Sequence, residues 1–374
     1  MDTSQRLPLL GGLSPRTFMA RHWQKKPLLV RQAIAGFTAP LARAELFALA
    51  GEEGVESRLI RQQGGGFQLR HGPFARRALP PLAQRAWTLL VQGVDLHDER
   101  AHALLQQFRF VPEARLDDLM VSYATDGGGV GPHFDSYDVF LLQAHGRRRW
   151  RIGRQRDLAL RDDLPLKVLA HFEPEQEFVL EPGDMLYLPP RYAHDGIAEG
   201  ECMTWSIGFR SPGTGELARE LLQRLAEDAS DAVGDRLYRD PQQPAVDAPG
   251  AIPPQLHAFA ADALRRALAE PRDLARALGE YLTEPKANVW FEPVEPVLAL
   301  PSEGVALDRR TRMLYDADHI FINGESYRAA GRDAVLMRRL ADARRLGPGD
   351  LARASAAARG LLLQWLEDSW VVAA

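Results

Sequence analysis

The pentapeptide Gly131-Pro132-His133-Phe134-Asp135 sets an imidazole and a carboxylate two residues apart. In extended chain, side chains at that spacing project to the same face, so both can reach one metal ion. A third ligand is offered by His194, which ends the run Glu181-Pro182-Gly183-Asp184-Met185-Leu186-Tyr187-Leu188-Pro189-Pro190-Arg191-Tyr192-Ala193-His194. There a Pro-Gly-Asp turn starts a strand, and two prolines stop it just before the histidine. Two imidazoles and one carboxylate form the facial triad that leaves positions open on non-haem iron(II) for a cosubstrate and dioxygen. A His-x-Asp pair alone is common by chance; joined to the turn and strand leading to His194, it becomes a specific signal. His171 and Glu173 repeat the alternate spacing, and His145 lies beside Gly146 in a turn. Neither has the context of His194, so both are read as surface residues, with His171 the stronger rival for third ligand. Asp184 is assigned to its turn rather than to the metal.

A second cluster, Gly146-Arg147-Arg148-Arg149-Trp150-Arg151-Ile152, reads first as a solvated basic face. Strand alternation divides it. Arg147, Arg149 and Arg151 fall on one face, while Arg148 shares the other with Trp150 and Ile152 and is aimed inward. A buried cation needs an anion, and a guanidinium forks onto a carboxylate with two parallel hydrogen bonds. Two partners would meet that need: a carboxylate of the protein, giving an internal salt bridge, or the distal carboxylate of 2-oxoglutarate, whose keto acid end would chelate the iron. In the second case Ser122, on the strand before Gly127-Gly128-Gly129, adds a hydroxyl donor.

The elements that must position these groups follow from the pattern along the chain. Residues 13–70 read as a helical entry, with Ser14 as N-cap and Pro15 at the first helical position. Pro27, in Trp23-Gln24-Lys25-Lys26-Pro27-Leu28-Leu29-Val30, ends the helix, and the apolar run after it reads as a first strand. Short strands are predicted over 119–124, 137–142, 149–152, 177–180, 184–188 and 202–208, punctuated by glycine and proline, with no long helices between them. That order argues for an antiparallel barrel or sandwich. After Ser211-Pro212-Gly213 the composition turns helical, over 216–237 (Leu217, Leu221, Leu222, Leu225) and over 256–282, broken at Pro271, with a proline-rich loop over 240–254. Residues 285–374 mix a hairpin (313–315 and 319–322, turning before Asn323-Gly324) with helices near 333–346 and 351–369, the order of a winged-helix module. The expected domains are 1–212, 213–284 and 285–374. The amphipathic helices between 216 and 282 offer an apolar face without evident cover, which predicts a homodimer.

At 374 residues the chain has room for two or three domains. Its 45% hydrophobic and 26% charged residues are those of a globular protein. Lys plus Arg (46) against Asp plus Glu (50) leaves a net charge of -4, so no global field draws it to nucleic acid or anionic lipid. A single cysteine, Cys202, rules out an intramolecular disulfide, fits a reducing compartment and reads as a buried apolar residue. Residues 1–12 lack a basic segment followed by an apolar stretch, and no run of about 18 apolar residues occurs. The expected location is the cytoplasm.

Over 23–30, 127–135, 137–151 and 183–194 the sequence resembles the JmjC-type ribosomal oxygenases, which hydroxylate side chains of ribosomal proteins, and within them the bacterial ribosomal protein arginine 3-hydroxylases. The resemblance covers essentially the whole chain. It implies an α+β fold in which a double-stranded β-helix barrel, the cupin/JmjC jelly roll, precedes a helical dimerisation region and a winged-helix domain. It implies Fe(II), 2-oxoglutarate and O2 as cofactors and a ribosomal protein as substrate, with no membrane and no sequence-specific DNA as partners. Iron ligands then fall on His133, Asp135 and His194, the cosubstrate arginine on Arg148 and a cosubstrate-contacting serine on Ser122. Ala124 stands where a related member has another serine, which implies a smaller hydrogen-bond set. Asp126 and Ser206 are the implied partners for a substrate guanidinium. Two other readings compete. A metal-dependent cupin acting on a small molecule is disfavoured by the inward Arg148, and a winged-helix nucleic-acid binder with a non-catalytic barrel by the acidic balance.

Overall fold

Ser14 and Pro15 start the first helix as their chemistry dictates. In the computed structural model, which describes residues 2–374, the Ser14 hydroxyl accepts the Thr17 N–H at 3.2 Å and helix α1 runs Pro15–Arg21. The hydroxyl satisfies one of the free donors of a helix start, and proline there gives up no bond. The helix stops at Arg21, well short of Pro27. The chain reverses through Gln24 at φ 54 and enters strand β1 (Leu28–Val30).

Residues 13–70, expected to be a helical entry, hold only one further α-helix, α2 (Arg43–Leu49). They also carry a hairpin, β2 (Ser57–Gln63) and β3 (Gly66–His71), after which come β4 (Trp87–Val91) and helix α3 (Glu99–Gln106). Strand β2, Ser57-Arg58-Leu59-Ile60-Arg61-Gln62-Gln63, has adjacent apolar residues and no period of two, whereas Gly64-Gly65 and the alternating Phe67-Gln68-Leu69-Arg70 carry the hairpin's signal. Strands β5 (Leu116–Ala124), β6 (Val139–Gly153), β7 (Gln176–Leu180), β8 (Met185–Leu188) and β9 (Ala193–Phe209) complete the first unit. They form one antiparallel sheet in the order β1-β8-β6-β9-β5-β4-β2-β3, with β7 added to β6.

The stretches 137–142 and 149–152, expected as separate strands around a turn, are one long β6. Its pairing with β9 slips on either side of His145, so His145 lies at an exposed bulge inside a strand. Gly146 sits there at φ 61, and a Cβ would fall 2.0 Å from the Glu201 carbonyl oxygen, so only glycine is accommodated.

Alternation assigns the sheet faces. Leu119, Val121, Tyr123, Trp205, Ile207 and Phe209 join Phe18, Trp23 and Phe47 in a large outer core, where each buried side chain contributes about 1.5–3 kcal/mol. Met120, Ser122 and Ala124 face the interior with their cross-strand partners Ser206, Thr204 and Cys202. Buried Asp138 ties the Trp23-Gln24 segment to the start of β6. It accepts Tyr187 Oη–H at 2.6 Å and Gln24 Nε2–H at 3.1 Å, and Arg115 approaches at 3.4 Å.

The second unit begins at Pro212. It opens with helices α4 (Thr214–Glu227), α5 (Ala229–Val233), α6 (Pro254–Ala267) and α7 (Pro271–Thr283), the last starting at the proline expected to break the pattern. There follow β10 (Val305–Leu307), β11 (Met313–Tyr315), β12 (His319–Ile322), β13 (Glu325–Arg328), α8 (Gly331–Ala343), β14 (Arg345–Leu346), α9 (Pro348–Leu351), α10 (Ala356–Glu367) and β15 (Val371–Ala373). Asn323 and Gly324, at φ 48 and 91, make the tight turn between β12 and β13. Leu336, Leu340, Leu362 and Trp365 pack α8 and α10 over Ile320 and Ile322. No helix among the described residues is long and apolar enough to cross a membrane.

Candidate active site

His133 and His194 meet through the main chain. The His133 N–H donates to the His194 carbonyl at 3.0 Å, and the His194 N–H returns to the His133 carbonyl at 2.8 Å. This is an isolated antiparallel bridge, so the histidine and carboxylate expected on a strand lie instead on an extended loop pinned at one point to the start of β9. The two imidazole centroids are 4.2 Å apart. Asp135 is fixed from the other side, where its carbonyl accepts the N–H of Arg191 at 2.7 Å.

One ligand atom from each of His133, Asp135 and His194 lies within 4.8 Å of the others, and the described residues hold no second such group. His171 and Glu173 are exposed and outside it. The Nδ1–H of His133 donates to the Gly131 carbonyl at 2.8 Å, and that of His194 to the Tyr192 carbonyl at 3.0 Å. Each bond fixes the tautomer and leaves Nε2 with a lone pair for a metal. Asp184 accepts the N–H groups of Gln32 and Glu181 and pairs with Arg31 at 2.6 Å, serving its turn.

Burial lowers the pKa of His194 from 6.5 to about 4, helped by His133 and opposed by Asp135. Near neutral pH the ring is therefore uncharged, the form that binds metal. The unfolded chain takes up this proton first, so stability is present above pH 6.5 and declines as pH falls toward 4. Urea unfolding of the metal-free protein across that range should show the decline, and His194→Gln should flatten it.

Arg148, 4% exposed, points inward as alternation requires. Its Nη1–H donates to Ser122 Oγ at 3.1 Å, while Nε and Nη2 are buried with no hydrogen-bond partner. The internal salt bridge weighed from sequence is thus absent among the described residues, and a buried guanidinium with open donors calls for an anionic ligand. On the outer face Arg147, Arg149 and Arg151 pair with Glu199, with Glu177 and Glu199, and with Asp195.

Ser206 is buried on the interior face between Met120 and Leu141. Asp126 is already engaged, by Arg85 at 2.7 Å and by the Gly200 N–H at 2.8 Å. A different carboxylate escaped the sequence reading. Asp118, buried on β5 before Met120 and Ser122, accepts Gln92 Nε2–H at 2.6 Å. Tyr137 has its hydroxyl raised far above the phenol range by burial, then by Asp135, Asp118 and Asp117. Tyr137 as a residue is 39% exposed. The alternation Asp118-x-Met120-x-Ser122 is the signal that would have found Asp118.

A facial triad beside a buried guanidinium with open donors, both inside an antiparallel β-barrel, defines a cupin-type oxygenase that takes a metal and a 2-oxo diacid. Residues 103–217 match the JmjC domain and residues 263–371 the ROXA-like winged helix. The chain is 35% identical over 330 residues to the ribosomal protein uL16 3-hydroxylase of Escherichia coli, covering 85% of this chain and 86% of that one. It is also 35% identical to a probable ribosomal oxygenase of Haemophilus influenzae over 55% of this chain and 52% of the relative. The crystal structure of E. coli YcfD matches with a TM-score of 0.83 at 32% identity, over 96% of this chain and 97% of that one. A structure of the same ribosomal oxygenase with cobalt and 2-oxoglutarate matches with a TM-score of 0.79 at 31% identity, over 96% and 97%. The chain belongs to the JmjC-type ribosomal oxygenases, and it is a 2-oxoglutarate-dependent oxygenase.

Proposed function

We propose that this protein hydroxylates an arginine side chain of the large-subunit ribosomal protein uL16, in the cytoplasm and as a homodimer. The observation that carries the reading is the pairing, on one interior face, of the His133, Asp135 and His194 cluster with an Arg148 whose Nε and Nη2 have no partner. Nε2 of each histidine and a carboxylate oxygen of Asp135 would hold iron(II). Arg148 and Ser122 would take the distal carboxylate of 2-oxoglutarate. Iron with 2-oxoglutarate and dioxygen supplies the oxidising chemistry that turns a C–H bond into C–OH, releasing succinate and carbon dioxide. The chain's own part is placement. Carbonyl-anchored imidazoles fix the ligand fan, Arg148 sets the cosubstrate's depth, and apolar neighbours such as Trp150, Leu186 and Leu188 keep water from the interior. A substrate guanidinium would meet Asp118 and Ser206, with Tyr137 along its stem; Asp126, held by Arg85, would act at the rim.

Incubation with iron(II), 2-oxoglutarate and uL16, followed by intact-mass measurement, should show a gain of one oxygen atom on an arginine. An unmodified uL16 alongside another modified ribosomal protein would replace the substrate and keep the chemistry.

The homodimer reading rests on the second unit, where Leu222 on α4 and Leu264 on α6 are 53% and 67% exposed. Sedimentation at micromolar concentration should give a dimer, and glutamate at both positions a monomer. Sequence-specific DNA binding is not expected. Arg338, Arg344 and Arg359 of the winged helix are spent on carbonyls of their own unit, and Arg339 pairs with Asp350.

A further inference from the structure

Trp150 adjoins both parts of the site. Its ring centroid lies 5.7 Å from the Arg148 guanidinium carbon and 5.8 Å from the His194 imidazole centroid. The opposite strand is cut away to admit it: at Gly196, its cross-strand partner, a Cβ would come within 2.7 Å of two indole carbons. Those carbons, Cζ3 and Cη2, belong to the six-membered ring, so the indole is placed with its benzo edge on Gly196 and its nitrogen away from that contact.

The indole N–H is buried and has no acceptor. It therefore joins Arg148 Nε and Nη2 as a third buried, unanswered donor on the same face of β6. Buried donors are almost always paired, and each one left open costs free energy until something accepts from it. The Trp205 indole N–H in the outer core is also buried and unpaired, so an open donor alone does not mark a ligand. One that touches both the diacid-anchoring arginine and a metal-cluster histidine borders the space a chelating 2-oxo diacid has to cross.

We propose that Trp150 is a third binding residue for the 2-oxo diacid, its indole N–H donating to a cosubstrate oxygen while its ring packs beside Arg148 and His194. The inference rests on the assignment of Arg148 to the cosubstrate, and the test separates the two. Replacing the indole by phenyl in Trp150→Phe keeps an aromatic ring and deletes the donor. Calorimetric titration of 2-oxoglutarate into protein loaded with zinc(II) should give a dissociation constant about tenfold higher for Trp150→Phe, the effect of one hydrogen bond to a charged acceptor. Zinc(II) affinity measured without 2-oxoglutarate should stay at the wild-type value. Unchanged 2-oxoglutarate affinity in Trp150→Phe, with binding lost in Arg148→Ala, overturns the role of Trp150 and leaves the arginine assignment standing. Full affinity in Arg148→Ala overturns both. A second measurement needs no variant. In wild-type protein carrying zinc(II), the 15N–1H spectrum contains indole signals from seven tryptophans, and one should move downfield when 2-oxoglutarate is added. If none moves, the donor role is refuted.

Discussion

Alanine at Asp135 is expected to abolish metal retention and turnover together. The cluster offers one carboxylate and two neutral imidazoles, so removing the carboxylate removes the only negative charge the protein brings to a divalent ion. Loss of an outer-shell partner typically costs 10–100-fold in metal affinity, and loss of a direct ligand should exceed about 100-fold. Equilibrium dialysis against iron(II) under anaerobic conditions measures the first effect, and succinate release in air the second. His171→Ala, at the exposed alternative histidine, should change neither. Metal affinity surviving in Asp135→Ala would mean that the cluster is a structural histidine pair with a neighbouring acid.

Arg148→Ala should separate the two cofactors. Its guanidinium is 4% exposed and keeps two donors open beyond its bond to Ser122. Hydrogen bonds to charged groups contribute about 1.5–3 kcal/mol each, so deleting a forked pair should weaken 2-oxoglutarate by about 100-fold or more. Metal affinity without cosubstrate should stay within about twofold, since among the described residues Arg148 makes no hydrogen bond or ion pair to the triad and meets it only through the Trp150 ring. Arg148→Lys should recover part of the loss, because a point charge remains but the fork does not. Equal losses for metal and cosubstrate in the alanine variant would instead mark Arg148 as a residue that holds the barrel together.

Much of this site could be read from residue type and spacing, because local rules decide it. The inward turn of Arg148 is simple alternation on β6, and the turn at Asp184 is written in Pro182-Gly183-Asp184. The helices of the second unit followed their leucine spacing, and the break expected at Pro271 is the start of α7, where a proline gives up no hydrogen bond. What escaped is what depends on partners distant in sequence. The β2–β3 hairpin is an exception whose signal is local: Gly64 and Gly65 turn it at φ 60 and 80, and Phe67-Gln68-Leu69-Arg70 alternates, although β2 itself does not. The continuity of β6 through His145 requires the Glu201 carbonyl to close on Gly146, which no local rule anticipates. Asp118 has no local motif to mark it and acquires meaning only when β5 faces Ser206 on β9. Asp126 seemed free at the mouth of the glycine loop, but Arg85 reaches it from another segment.

The reciprocal N–H and carbonyl exchange between His133 and His194 also ties the metal cluster to the sheet's register. A slip of one residue of β9 along β6 would turn His194 to the opposite side of the sheet. Metal affinity therefore reports strand register, because a barrel paired one residue out could not bring both imidazoles to one ion.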